Sequence, residues 1–283
     1  MKKTLKSGNR GFKVVAYVVC IFLAILSIMP FVIMVVNSTR STVQIQAHAV
    51  SLIPSHYLMD NFAIFDGKTF DANVGFINSL IISVGATALT VYFAALTAYA
   101  LVAYEWKLRG AFFTMILCVM MIPNQVTSIG FYQFMYKIHL TNNFLPLILP
   151  GIAAPATVFF MRQFMLASLP LELLDSARID GSGEFYTFNR IILPMMKPAL
   201  AVQMIFSFVT SWNNYFMPAL ILDKAEMKTV PLMIAQLRSA DYSKFDMGKV
   251  YMFILLAILP VIVVYMLLSK YIIKGVTAGS VKG

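Results

Sequence analysis

Charged residues are scarce in this sequence. Asp, Glu, Lys and Arg make up 12% of its 283 residues, while 60% are hydrophobic. A soluble domain has about 25% charged and about 45–50% apolar residues. With a mean hydropathy of +0.80, the chain fits the membrane class. Cysteine is nearly absent. Cys20 and Cys118 each sit inside an apolar run, which leaves no disulfide framework and makes both read as small apolar side chains. The histidines His48, His56 and His139 form no HxxxH or HExxH pattern, so no metal site is expected. There is no GxxxxGK[ST] loop, so the chain alone lacks that cradle for ATP. Gly181-Ser182-Gly183 lacks the spacing of a nucleophile elbow. The reading is therefore no catalytic residue, no metal and no cofactor on this chain. The net charge of +10 is scattered, with no basic stripe interleaved with aromatics, and nucleic acid is not a partner. Low-complexity segments and obvious internal repeats are also missing.

Long hydrophobic runs are what the sequence does have. A spanning helix needs about 20 mainly apolar residues. Six stretches without Asp, Glu, Lys or Arg are long enough: Val14–Thr39, Ala72–Tyr104, Gly110–Tyr136, Ile138–Met161, Ala199–Leu222 and Val250–Ser269. They predict an all-α, polytopic membrane protein with six transmembrane helices at about 14–36, 74–102, 111–136, 142–161, 199–222 and 250–270. Residues 1–13 are basic, but the apolar run after them is too long for a cleaved signal and reads as a retained first span. With residue 1 inside, the inner segments carry 14 of the 22 Lys and Arg residues and the outer ones eight. The positive excess belongs in the cytoplasm. The expectation is a cytoplasmic N-terminal segment (1–13), a membrane domain over 14–274, a cytoplasmic tail (275–283), and a cytoplasmic loop over 162–198 between spans four and five.

Within that loop lies the one stretch that is both charged and helix-competent, Pro170 to Pro198. Pro170 suits a first helical turn, and Glu172 and Asp175 suit the positive end of the helix dipole. Leu173, Leu174, Ala177 and Ile179 supply apolar positions, and Ser176 and Ala177 are small. Asp180-Gly181 signals a turn. A second helix starts near Gly183 or Glu184 and runs through Ile191-Ile192-Leu193 towards Pro194. Ion-coupled carriers commonly place charge inside the membrane. Spans free of charge argue that the energy comes from a separate motor, for which this stretch is a handle. A membrane assembly protein without transport stays open as an alternative.

The pattern Asp175-Ser176-Ala177, then Gly181, then Ile191-x-Leu193-Pro194 resembles the E-A-A-x3-G-x9-I-x-L-P loop. That loop marks inner-membrane permeases of binding-protein-dependent ATP-binding-cassette (ABC) importers. Asp175 stands where the loop has Glu, and Ser176 where it has the first Ala. Met121-Ile122-Pro123, Ser211–Pro218 and the ending Lys274–Gly283 resemble the carbohydrate, maltose-type branch. The resemblance implies a half-channel in the bacterial plasma membrane that carries a sugar, such as an oligosaccharide, by alternating access. Its partners are a second homologous permease, two copies of a nucleotide-binding ATPase that hold ATP and Mg, an extracytoplasmic sugar-binding protein and membrane lipid. It also implies that Glu172, Asp175, Ser176, Ala177, Arg178, Asp180, Gly181, Ile191, Leu193 and Pro194 couple the chain to the ATPase. The tail carrying Gly275 and Gly279 reaches the ATPase, and the last outer loop (223–249) meets the binding protein. Polar groups in the spans, Asn78, Asn124, Gln125, Trp212, Asn213, Asn214 and Tyr215, are candidates for the sugar path. Each also suits a hydrogen bond between helices, the plainer reading. A non-sugar solute and a secondary carrier remain the other readings.

Overall fold

The computed structural model describes residues 10–65, 71–239 and 246–280. Among them every regular element is helical. Two compact units emerge, one from Met1–Asp71 with Gln236–Leu256, the other from Ala72–Ala235 with Ala257–Gly283.

The first unit begins with α1 (Arg10–Asn37), whose most apolar window has no buried residue. A polar knot follows. Ser41 caps α2 (Thr42–Ala47) in a capping box with Gln44. Arg40, 6% exposed, donates from its guanidinium to Asn37 Oδ1, Gln44 O and His48 O at 2.7–3.0 Å. It thereby shares Gln44 O with the His48 N–H and serves His48 O, just past the helix. Asn61, at the end of α3 (Leu58–Phe62), donates to Ser38 O and Arg40 O. Gly248 packs on this knot. A Cβ there would meet Arg40 O and Asn61 Oδ1 at 2.5 Å, so only glycine fits.

The axis of the second unit is α4 (Ala72–Ala103). Its buried face is lined by small residues, Gly75, Ser79, Ser83, Ala86, Thr90, Ala94 and Ala98, spaced by three or four and so stacked on one side. Small residues let helix backbones approach closely in a membrane. The helices α8 (Pro155–Ser168) and α12 (Lys197–Trp212) take that approach against α4. A 3-10 turn, Leu149–Ile152, also lies against it. A Cβ on Gly151 would lie 2.8 Å from Ala86 O and Thr90 Oγ1.

The helix bounds differ from those of the expected spans. Among the described residues four helices can cross a membrane by length and composition, and up to six can if each of two bent pairs is one span. The expected third span, 111–136, is α5 (Arg109–Met120) and α6 (Asn124–Lys137), bent by 96°. Pro123 causes the break, because its ring disfavours a helical residue before it. The expected fourth span, 142–161, is displaced. After α7 (Leu145–Ile148) and the 3-10 turn, α8 continues past Met161 to Ser168. Arg162 does not end it, because its guanidinium carbon lies 4.0 Å over the Phe113 ring, a favourable cation–π contact. The expected fifth span, 199–222, begins at Lys197 and stops at Trp212. The break at 213–215 is followed by α13 (Phe216–Ile221), where Asn214 Oδ1 accepts from Met217 N at 3.4 Å. The last helix, which follows α14 (Val230–Ser239) and is numbered α15 (Met247–Ser280), is longer than the expected 250–270. Lys270 and Lys274 bound an apolar run without ending a helix.

Candidate functional site

The Pro170–Pro198 stretch folds as helix, turn, helix. Pro170 caps α9 (Leu171–Ile179) with φ −72°. Glu172 lies in its first turn and Arg178 in its last, both in the sense the helix dipole favours. Gly181 ends it with φ +74°. Its N–H donates to Arg178 O at 3.0 Å and the Ser182 N–H donates to Ala177 O at 2.9 Å, the Schellman pairing of a helix C-terminus. Nothing lies within 4 Å of a Cβ added at Gly181. Glycine is therefore required by backbone conformation and not by space.

The next helix, α10 (Glu184–Thr187), continues through a π turn, Phe188–Ile192, into α11 (Leu193–Met195). In that turn Leu193 N–H reaches back to Phe188 O. A π turn suits the residues just before Pro194, which has no N–H to give to a regular helix. The chain then bends by 82° into α12, where Pro198 occupies the first turn.

Two sets of contacts fix this stretch to α4 and α8. The first is apolar. Leu174, Phe188, Ile192 and Met196 are almost fully buried with Ala94, Ala95, Ala98 and Tyr99 of α4 and Met161 and Met165 of α8. Phe188 packs against Tyr99 and Tyr92 at 5.4 and 5.8 Å between ring centroids. Full burial of one such side chain is worth about 1.5–3 kcal/mol. The second set is polar. Glu184 Oε2 accepts from the Tyr99 hydroxyl at 3.0 Å, and Oε1 accepts from Arg178 Nε at 2.9 Å. Arg178 also stands 3.6 Å from Asp175 and lies over the Tyr104 ring. The Tyr104 hydroxyl, then Arg178 and Tyr99, hold the Glu184 carboxyl below the usual carboxylate range against the opposing effect of burial.

Of the expected coupling residues, Asp175 and Arg178 join this knot at the surface, where both are exposed. Ala177 faces inward at 6% exposure. Glu172, Ser176, Asp180, Gly181 and Pro194 are exposed, and Ile191 and Leu193 rest half-buried on the apolar cluster. The apolar positions of α9 divide. Leu174 turns inward, whereas Ile179 is 86% exposed, and Phe185 and Tyr186 on α10 are 71% and 61% exposed. The sequence reading left out Tyr99, Glu184 and Phe188 as site residues. The i,i+4 pair Phe188–Ile192 carried a readable signal. Tyr99 did not, being 85 positions from Glu184.

Of the candidate path residues, Trp212 and Asn214 line one small cavity. Asn78 is buried, and its amide donates to Glu226 O and Lys228 O at 2.9 and 3.0 Å. Trp212 is buried, donates from Nε1 to Ala257 O and stacks on Phe208. Asn214 is half-buried, and Gln125, Asn213 and Tyr215 are exposed. Asn124 begins α6, but its side chain lies outside the described residues. Gly275 and Gly279 lie on the backbone of α15, with their surroundings outside the described residues. So does most of the charged run 241–246.

Residues 91–278 match the family described as "Binding-protein-dependent transport system inner membrane component". The chain is 34% identical to the arabinooligosaccharides transport system permease protein AraQ of Halalkalibacterium halodurans, over 93% of this chain and 94% of that one. It is also 34% identical to the lactose transport system permease protein LacG of Rhizobium radiobacter, over 95% and 96%. A solved bacterial ABC transporter involved in import of the acidic polysaccharide alginate contains a chain of the same fold. The TM-score is 0.81 at 21% identity, covering 95% of this chain and 99% of that chain.

Proposed function

The chain belongs to the family of binding-protein-dependent transport system inner membrane components, and from that premise we propose that it is a permease subunit that carries a neutral oligosaccharide inward. It is not an enzyme. ATP hydrolysis belongs to a separate subunit of such importers, and a binding protein delivers their solute. Relatives named for arabinooligosaccharides and lactose favour an uncharged sugar. Both termini and the Pro170–Pro198 stretch face the cytoplasm of a bacterial inner membrane, in line with the excess of Lys and Arg in those segments. The bent pair α5–α6 counts as one span, and the fifth span starts with α12, after the cytoplasmic stretch. A second permease completes the pathway, two ATPase copies bind below, and the 223–249 region meets the binding protein.

The observation that carries the coupling role is the outward apolar side of α9 and α10. Ile179, Phe185 and Tyr186 stand exposed among Glu172, Asp175 and Asp180. An apolar anchor rimmed by polar residues is how a docking surface is built. The knot of Leu174, Arg178, Glu184 and Tyr99 holds that surface against α4, so motion of the docked ATPase is passed to the membrane helices. Asn124, Gln125, Asn213, Asn214 and Tyr215 are the path candidates kept, because Asn78 and Trp212 give their donors to backbone carbonyls. Proteoliposomes containing the assembled transporter test the proposal. Uptake of labelled arabino-oligosaccharide or lactose should require both ATP on the ATPase side and the binding protein. Uptake by this chain alone, driven by an ion gradient, would replace the reading with that of a secondary carrier.

A further inference from the structure

A small cavity in the second unit is lined by Ser79, Ser83, Ser211, Trp212, Asn214 and Thr229, among others, and has a volume of about 20 Å³. Two of its lining hydroxyls stand out. Ser83 and Thr229 are 1% and 3% exposed, and Ser83 Oγ and Thr229 Oγ1 are buried without a hydrogen-bond partner among the described residues. A buried hydroxyl left unpaired is costly, and native structures satisfy such groups with protein or ordered water. We propose that the cavity is a binding site for one water molecule, which bridges Ser83 Oγ of α4 to Thr229 Oγ1.

Size and chemistry select this ligand. A cavity needs about 10–15 Å³ to hold a water, and that water needs two to four polar partners. A sugar ring does not fit. No charged group lines the cavity, whereas hard cations are bound through carboxylates and several oxygens. The position gives the water a task. The segment Glu226–Val230 already lies clamped to α4 at two points: Asn78 Nδ2 donates to Glu226 O and Lys228 O, and Val230 N donates to Ser79 Oγ at 2.9 Å. Ser83 is one turn along the same face from Ser79. The water adds a third clamp between the two existing ones on the segment, and it explains why Thr229 carries a hydroxyl at a buried position.

Thermal unfolding of the assembled transporter containing Ser83→Ala, Thr229→Val or both tests this. With a shared water, each single change lowers Tm by about 2–4 °C, the shift for roughly one kcal/mol in a chain of this size. The double variant then loses no more than the worse single one, because one bridge is lost either way. Additive losses, no change, or a rise in Tm overturns the proposal, a rise being what removal of unpaired hydroxyls from a dry cavity gives. A density map of the unaltered complex that resolves buried waters decides independently. A peak about 3 Å from both oxygens supports the site, and an empty cavity overturns it.

Discussion

At the scale of single residues, the contacts divide changes that damage folding from changes that damage coupling. Gly181 sits at φ +74° in open space. Gly181→Ala should cost about 1 kcal/mol through backbone strain, and Gly181→Asn less, since Asn tolerates that region. Thermal unfolding of both variants checks the order. Gly151 is the opposite case. Its neighbours Ala86 O and Thr90 Oγ1 leave no room for a methyl, so Gly151→Ala should lower stability by about 1–3 kcal/mol and Gly151→Asn by more. Glu184 makes a pH prediction. Its carboxyl is held below its ordinary range by Tyr104, Arg178 and Tyr99. Its contribution is therefore complete above the ordinary carboxylate range and fades as pH falls through the lowered value. Tm followed from pH 7 down to pH 3 should show a loss at the acid end that Glu184→Gln lacks, together with a lower Tm for that variant at pH 7. Of these residues Gly181 was legible in the sequence, because Asp-Gly after an apolar helical run has few other uses. Gly151 was not, since its need arises from α4, far away along the chain.

At the scale of elements, α9 is a helix with two apolar sides, and they do different work. Leu174 is 1% exposed within the shared core, so Leu174→Ala should cost about 2–5 kcal/mol and lower Tm. Ile179, 86% exposed, supports nothing inside the chain. Ile179→Asp should leave Tm unchanged and abolish co-purification with the ATPase. Finding the two variants alike in both assays would contradict the division. The helix–turn–helix itself was legible, from Pro170, the acidic first turn, Asp180-Gly181 and the restart at Glu184. The inward face was not. Leu173 and Leu174 are equivalent in sequence, and only packing against Tyr99, Phe188 and Met165 tells them apart. The membrane helices show the same limit. Charge-free length located six apolar runs, but Pro123 breaks one, Asn213-Asn214 ends another early, and Arg162 is accommodated where charge counting stopped a third. Local composition measures apolar length. It does not register that a proline can bend a helix or that an aromatic ring can shelter a guanidinium.

At the scale of the whole molecule, the claim is that an ATPase docked on the outward face of α9 and α10 drives an otherwise passive membrane pathway. The family was legible through resemblance, because the Asp175-to-Pro194 pattern matches the E-A-A loop over about twenty residues. The sugar path was not, because isolated amides in apolar helices serve packing and passage equally well. Asn78 proves to be a clamp on Glu226 and Lys228. The most direct measurement is cross-linking from Ile179→Cys in the assembled transporter in native membranes, with the unaltered chain as control for Cys20 and Cys118. The account predicts an adduct between this chain and the ATPase, together with protection from a membrane-impermeant maleimide added outside intact cells. Labelling from outside, with no ATPase adduct, would contradict it.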